Sequence, residues 1–305
     1  MIQRDIILTA GGYVAEISSR LGGACLRLKN EALGIEILNT PPTEEAYFEN
    51  VCLFGNPILF PPNRTRGGEF SFLGRTYRLP INEPATGSHL HGELHKTPFS
   101  VELVGDDRAV LKFSAAQGEY LDFPHAFEIT RDYRLSESGL VEMTTARNLS
   151  EEPMPFTLAY HTTFDLRDLG RGATLSLPVT REQMRDEKYL PTLEWCSGRE
   201  RDLAIARGEY GIYSAPISAL YKTEGRIGRI TDPVSRKSII CDCSEHFGYR
   251  MLWRREGADF LCIEPQTSAI DLFHLDLPPE EYGLRIIEPH GSLTLTVRYA
   301  AEIFD

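Results

Sequence analysis

Alternation of apolar and polar residues with a period of two, repeated along the chain, restricts its fold more than any other feature. In residues 292–299, Leu293, Leu295, Val297 and Tyr299 fall on one side, and Thr294, Thr296 and Arg298 on the other. Successive side chains of a β-strand point to opposite faces, so this segment has one face for a core and one for water. Residues 108–115 set Leu111 and Phe113 against Val110, Lys112 and Ser114. Residues 126–135 align Phe127, Ile129, Arg131, Tyr133 and Leu135, which puts an arginine in an otherwise apolar row. Turn formers separate such runs: Gly22-Gly23, Gly67-Gly68, Gly105-Asp106-Asp107, Gly170-Arg171-Gly172, Asp232-Pro233 and Pro289-His290-Gly291. Helical signals are few. Residues 43–49 predict a short helix, and the charged stretch 181–188 predicts a solvated turn or helix. Many short strands with almost no long amphipathic helix predict an all-β fold, a large antiparallel β-sandwich. No linker, composition break or fixed-period repeat divides the 305 residues, so residues 1–305 are expected to form a single domain.

Charge narrows the partners. With 32 basic and 44 acidic residues, the net charge of −12 argues against nucleic acid and against an anionic membrane surface. It is compatible with a neutral polyol, which needs hydrogen-bonding groups rather than a steering field. No apolar run approaches the roughly 18 residues of a membrane-spanning helix. Residues 1–8 lack a basic region followed by an apolar one, so a cytoplasmic location is expected. The six cysteines are scattered. Only Cys241 and Cys243 are close, and their spacing is not that of a CxxC motif, so reduced, mostly buried thiols are expected. GxSxG, GxGxxG and Walker A patterns are missing, which disfavours a lipase-type hydrolase, a dinucleotide enzyme and an NTPase, and no cofactor is expected.

Three places carry candidate chemistry. His89 and His91 would share a strand face and suit a metal, with His95 nearby, but Gly92 breaks the strand and no second ligand cluster stands out; no metal is expected. Read as a strand, residues 156–164 put Phe156, Leu158, Tyr160, Thr162 and Phe164 on an apolar-rich face. His161 shares the other face with Thr157, Ala159 and Thr163, which suits a groove wall, although a satisfied structural histidine fits the pattern too. Glu264 follows the apolar run Phe260-Leu261-Cys262-Ile263. A carboxylate at the end of a buried strand is costly unless partnered or functional, and burial would raise its pKa toward a general base's range. A surface glutamate at a strand end is the plainer alternative.

Together these residues resemble the aldose 1-epimerases, the galactose mutarotase family. The resemblance rests on Asn63-Arg64, a Gly-aromatic hairpin through Gly67, Phe70, Gly74, Tyr77 and Leu79, then Asn82-Glu83 and Leu90-His91-Gly92. It continues in Tyr160-His161-Thr162-Thr163-Phe164-Asp165-Leu166, in Cys262-Ile263-Glu264-Pro265-Gln266-Thr267 with Asp271 after it, and in Glu288-Pro289-His290-Gly291-Ser292. The motifs follow the family's order. They imply a large sandwich with an open groove on one sheet, and a mutarotase acting on a hexose or related sugar. Glu264 would be the general base and His161 the general acid, with Arg64, His91, Asn63 and Gln266 contacting the sugar. Trp253 or Phe273 would be available to stack on it. The family's aspartate, about sixty residues before the glutamate, has no counterpart in 211–221, and Asp202 is the nearest acid upstream. A non-catalytic carbohydrate-binding module on the same fold is therefore the alternative, and a glycan hydrolase or lyase a third reading.

Overall fold

The computed structural model describes residues 4–304. Residues 1–3 and 305, the ends of the expected 1–305 domain, lie outside the described residues, and so does the first part of the stretch 1–8 read for a targeting signal. Every paired strand runs antiparallel to its neighbours, as expected for chains whose strands alternate apolar-in and polar-out. A nine-stranded sheet is built around Phe127–Ser136, Gly139–Asn148, Ser292–Ile303 and Lys237–Cys243. Phe127, Ile129, Tyr133 and Leu135 are buried on one face, as their alternation predicts, and so are Leu295, Val297 and Tyr299. The second large sheet has eight strands, with Phe260–Gln266 between Tyr249–Arg254 and the short pieces Ala159–Tyr160 and Thr163–Asp165. A four-stranded sheet of Ile6–Ala10, Tyr13–Ser18, Ala24–Asn30 and Ile35–Glu36 completes the N-terminal part.

The inner faces of the two large sheets meet through side chains. Phe164 lies edge-on to Tyr299 at 6.0 Å, the Thr162 hydroxyl lies 2.9 Å from that of Tyr299, and the Tyr160 hydroxyl donates to Thr144 Oγ1 at 2.6 Å. Arg131 is the polar exception in its apolar row, and it is fully buried. Its Nε meets Glu142 Oε1 at 2.7 Å, and its Nη1 and Nη2 donate to the backbone oxygens of Gly22 and Asn56. Asn56 Nδ2 donates to Glu142 Oε2 at 2.7 Å, while Asn56 Oδ1 accepts from the backbone N–H of Cys25 at 2.8 Å. One saturated polar network thus joins the N-terminal sheet to both faces of the core.

Two local expectations change. The stretch 181–188 is not a solvated helix: Val179–Arg185 is a strand that pairs with Ile217–Thr223, and a turn follows at 186–189. Its residues are polar on both faces, which hides the period of two. Residues 156–164 do not form one continuous strand but the pieces Met154–Phe156, Ala159–Tyr160 and Thr163–Asp165. The alternation survives the breaks, since Tyr160, Thr162 and Phe164 reach the nine-stranded sheet. The expected short helix is present at Glu44–Glu49, capped by the Thr43 side chain. A second helix, Glu200–Arg207, has no counterpart in the sequence reading. All six cysteines are free, and four of them are buried. No helix of the described residues is long and apolar enough to cross a membrane.

Candidate active site

The outer face of the eight-stranded sheet forms the floor of a cavity of about 290 Å³. Register determines what that floor presents. Along Phe260–Gln266, Cys262, Glu264 and Gln266 share one face, because side chains alternate. Met251 pairs with Glu264 and Trp253 with Cys262, while Ser218 pairs with Trp253 on the next strand. Directly paired residues point to the same face, so Ser218, Met251, Trp253 and Glu264 all line the cavity.

The walls come from loops and a small two-stranded ladder. Arg64–Arg66 pairs with Ser88–Leu90. At one end of this ladder Asn63 (φ 55°) and His91 (φ 66°) both adopt left-handed backbone, which turns their side chains inward. The Asn63 N–H donates to His91 Nδ1 at 3.3 Å, and the His91 N–H donates to the Asn63 oxygen at 3.0 Å. Gly92 has to be glycine: at φ 63°, a Cβ would fall 1.8 Å from the Phe60 carbonyl oxygen.

Glu264 and His161 face each other. Glu264 Oε1 lies 3.2 Å from His161 Nε2, and the two residues are only 2% and 6% exposed. This removes the surface-glutamate alternative. Burial pushes the Glu264 carboxyl up to about 8, against a smaller lowering by the Gln266 amide and Arg185. Burial pushes the His161 imidazole down to about 4. Between these values the pair holds one proton. A relay stands behind it: Asn63 Nδ2 donates to Gln266 Oε1 at 2.8 Å, and Gln266 Nε2 donates to Glu264 Oε2 at 3.2 Å. Chain segments some two hundred residues apart are therefore coupled to one carboxylate, and its second oxygen is held in a fixed orientation.

His91 sits beside the pair, its ring edge-on to His161 at 5.6 Å. Burial, then the neighbouring His161, holds it well below the ordinary histidine range. Its Nδ1 accepts a backbone hydrogen bond, so the neutral ring carries its proton on Nε2. Arg64 is gripped by Glu83, Nε at 2.6 Å and Nη2 at 2.7 Å, and lies over the Tyr189 ring at 5.0 Å. All six sequence candidates, Glu264, His161, Arg64, His91, Asn63 and Gln266, therefore belong to this one cavity or to the relay behind it. Of the two stacking candidates, Trp253 lines the cavity and lies edge-on to His161 at 6.4 Å. Phe273 instead stacks on Phe70 at 4.1 Å, away from it. Asp202 is remote from the site: it caps its own helix, binding Arg199 and the Tyr221 hydroxyl.

The sequence reading misses Cys52, Arg185, Tyr189 and Ser218, which also line the cavity. Arg185 lies in the charged stretch taken for a solvated turn, and only the strand pairing turns it inward. Tyr189 is placed by a turn in which Asp186 Oδ1 accepts from the N–H groups of Lys188 and Leu190. Among the described residues, two donor sets are compact enough for a metal ion: Cys52, His91 and His161, and His161, Cys262 and Glu264, with ligand atoms within 4.8 Å of one another. Thiol mixed with imidazole suits a soft ion such as zinc. Both sets include His161, so an ion there would compete for the imidazole with any proton-transfer role.

Comparison with known proteins agrees with this architecture. The aldose 1-epimerase family model matches residues 4–299. A galactose mutarotase-like protein of Clostridium acetobutylicum superposes with a TM-score of 0.91 at 27% identity, covering 98% of this chain and 95% of that one. An aldose epimerase homologue from Caenorhabditis elegans shares the fold at 14% identity, with a TM-score of 0.79 and 98% and 99% of the two chains covered. The uncharacterised protein YphB of Escherichia coli K12 is 24% identical over 251 residues, 78% of this chain and 80% of that protein. A match over nearly the whole chain, on a sandwich whose outer face carries the clustered family motifs, establishes that this chain belongs to the aldose 1-epimerase family.

Proposed function

We propose that the chain is a mutarotase that interconverts the α and β anomers of an aldose by acid/base ring opening, with Glu264 and His161 as the proton-transfer pair. The observation that carries this reading is the buried 3.2 Å contact between a carboxyl pushed up to about 8 and an imidazole pushed down to about 4. Ring opening requires loss of the C1 hydroxyl proton and protonation of the ring oxygen. The pair rests with its one proton on Glu264; passage of that proton across the 3.2 Å contact to His161 gives the carboxylate that takes the first proton and the imidazolium that gives the second. The product state of the pair, protonated carboxyl and neutral imidazole, is the state required for ring closure. After rotation about C1–C2, closure on the other aldehyde face returns the pair to carboxylate and imidazolium. One proton thus shuttles within the pair, and no exchange with solvent is needed. Arg64, His91, Asn63 and Gln266 hold the sugar and the carboxylate in register. The His91 Nε2–H is the donor available to a sugar oxygen, and Trp253 offers an apolar wall for a ring face.

The reading treats residues 1–305 as one domain, supported by a large buried apolar cluster that runs from Ile6 to Ala301 beside two small ones. Exchange NMR or polarimetry on a panel of aldoses tests the activity. Accelerated anomer exchange is expected. Absence of acceleration on every sugar, with the fold intact, overturns it, and calorimetric sugar binding without exchange would mark a carbohydrate-binding protein instead.

Two further outcomes follow from the one-proton pair. The kcat/KM profile should be bell-shaped, falling below about pH 4 as His161 and Glu264 both become protonated and above about pH 8 as the last proton leaves. The Gln266 amide lowers the Glu264 pKa, so Gln266→Ala should move the alkaline limb to higher pH. An unmoved limb would separate Gln266 from the catalytic proton.

A further inference from the structure

The cavity contains one cation that the protein leaves uncompensated. Arg64 is not it, since Glu83 engages its guanidinium through two bonds. Arg185 donates through Nη2 only to neutral groups, the backbone oxygen and the hydroxyl of Ser218. Its Nε and Nη1 have no hydrogen-bond partner among the described residues, and Tyr189 lies 5.8 Å from its guanidinium. The two carboxylates that attract it are already committed. Glu182 is bound by Arg199 and Arg201, and Glu264 retains its proton over most of the neutral range. Burial, the largest influence on Arg185, disfavours its charge, and the nearby Arg64 adds to the effect.

A half-buried cation at the cavity wall has no counter-charge in the protein, and a neutral ligand covering it would take away solvent without supplying one. An anionic ligand would supply it. We propose that the sugar turned over at this site carries a carboxylate, as an aldohexuronate does, and that Arg185 is the residue that selects it. This rests on the acid/base reading of Glu264 and His161. The unspent donors of Arg185, Nε and Nη1, lie on opposite sides of Cδ, so it offers an anion one positive charge and single-point N–H contacts, which is enough for a carboxylate monoanion. A phosphate dianion calls for more positive charge than one arginine supplies, and Arg64 is held by Glu83. Ser218 fixes the guanidinium through Nη2, so the cation is oriented before the ligand arrives.

Exchange NMR on an aldohexuronate, the matching neutral aldohexose and a hexose 6-phosphate tests the proposal. The wild-type kcat/KM for the uronate should exceed that for the neutral sugar by roughly tenfold or more, the size of one charge-assisted contact. Arg185→Gln should collapse that ratio by raising KM for the uronate rather than by lowering kcat, and Arg185→Lys should retain part of it. Thermal melts report whether each variant folds. Equal or better handling of the neutral sugar, a preference for the phosphate, or a ratio unchanged in Arg185→Gln overturns the proposal. If no sugar is exchanged at all, the acid/base reading fails, yet calorimetry still decides the selectivity. Uronate binding tighter than neutral-sugar binding, and lost in Arg185→Gln, supports it; equal binding overturns it.

Discussion

Glutamine in place of Glu264 is expected to lower kcat for anomer exchange by about 10²–10⁴-fold, the usual contribution of a positioned acid or base. The amide keeps the shape of the side chain and its contacts with Gln266 and His161, but cannot take a proton from the C1 hydroxyl. Sugar binding should persist, so KM or a calorimetric Kd should change far less than kcat. Full activity in the variant would remove Glu264 from the chemistry. The same substitution should also stabilise the protein. The folded-state pKa of Glu264 lies near 8, above its ordinary value of 4.5, because burial opposes ionisation. The folded protein therefore binds this proton more tightly than the unfolded chain does. That stabilisation is complete below about pH 4.5 and is lost as pH rises toward 8. Glutamine carries no such dependence. The melting temperature of Glu264→Gln relative to the wild type should thus rise across this window, and a constant difference would argue against a buried, proton-retaining carboxyl. Reduced turnover combined with raised stability would mark a residue retained for function at a cost in folding.

Truncation of Glu142 to alanine is expected to cost about 3–5 kcal/mol of stability, read as a shift in the urea midpoint. Glu142 and Arg131 are both wholly buried, and removing the carboxylate strands the guanidinium in the core. Burial opposes the Arg131 charge, but the Glu142 carboxylate outweighs it and holds the group above the ordinary arginine range. Removal would also leave the Asn56 amide and the Thr144 hydroxyl without their acceptor. Replacing both charges together, Arg131→Met with Glu142→Leu, should cost much less than the single truncation, because no unpaired charge remains. Equal losses in the single and double variants would show that packing, rather than the stranded cation, sets the cost. The network reaches the cavity as well: the Tyr160 hydroxyl binds Thr144, and His161 is the next residue. Glu142→Ala should therefore impair turnover at temperatures where the protein is still folded.

Local pattern carried the fold class and the central strands. Alternation in 126–135 and 292–299 matches the buried faces, with Arg131 inward and Leu293 alone partly exposed, because a half-buried antiparallel strand writes its environment with a period of two. The motif residues on either side of the cavity were legible through the family resemblance, whose motifs occur in order along the chain. Glu264 and Gln266 share a strand face, and Asn63 and His91 flank the short ladder between Arg64–Arg66 and Ser88–Leu90. Pattern failed where a strand is polar on both faces. Residues 181–185 look like a solvated turn, yet their pairing with Ile217–Thr223 brings Arg185 over the cavity.

The sequence by itself determined an antiparallel sandwich, the family, and the residue types available for proton transfer, since these depend on local alternation and on ordered motifs. Only the tertiary structure decided what those residues are to one another. The 3.2 Å approach of Glu264 to His161, the relay from Asn63 through Gln266, and the uncompensated Arg185 all join segments distant in sequence. Burial is a property of the assembled sheets, and so are the opposed pKa shifts it imposes on a carboxyl and an imidazole.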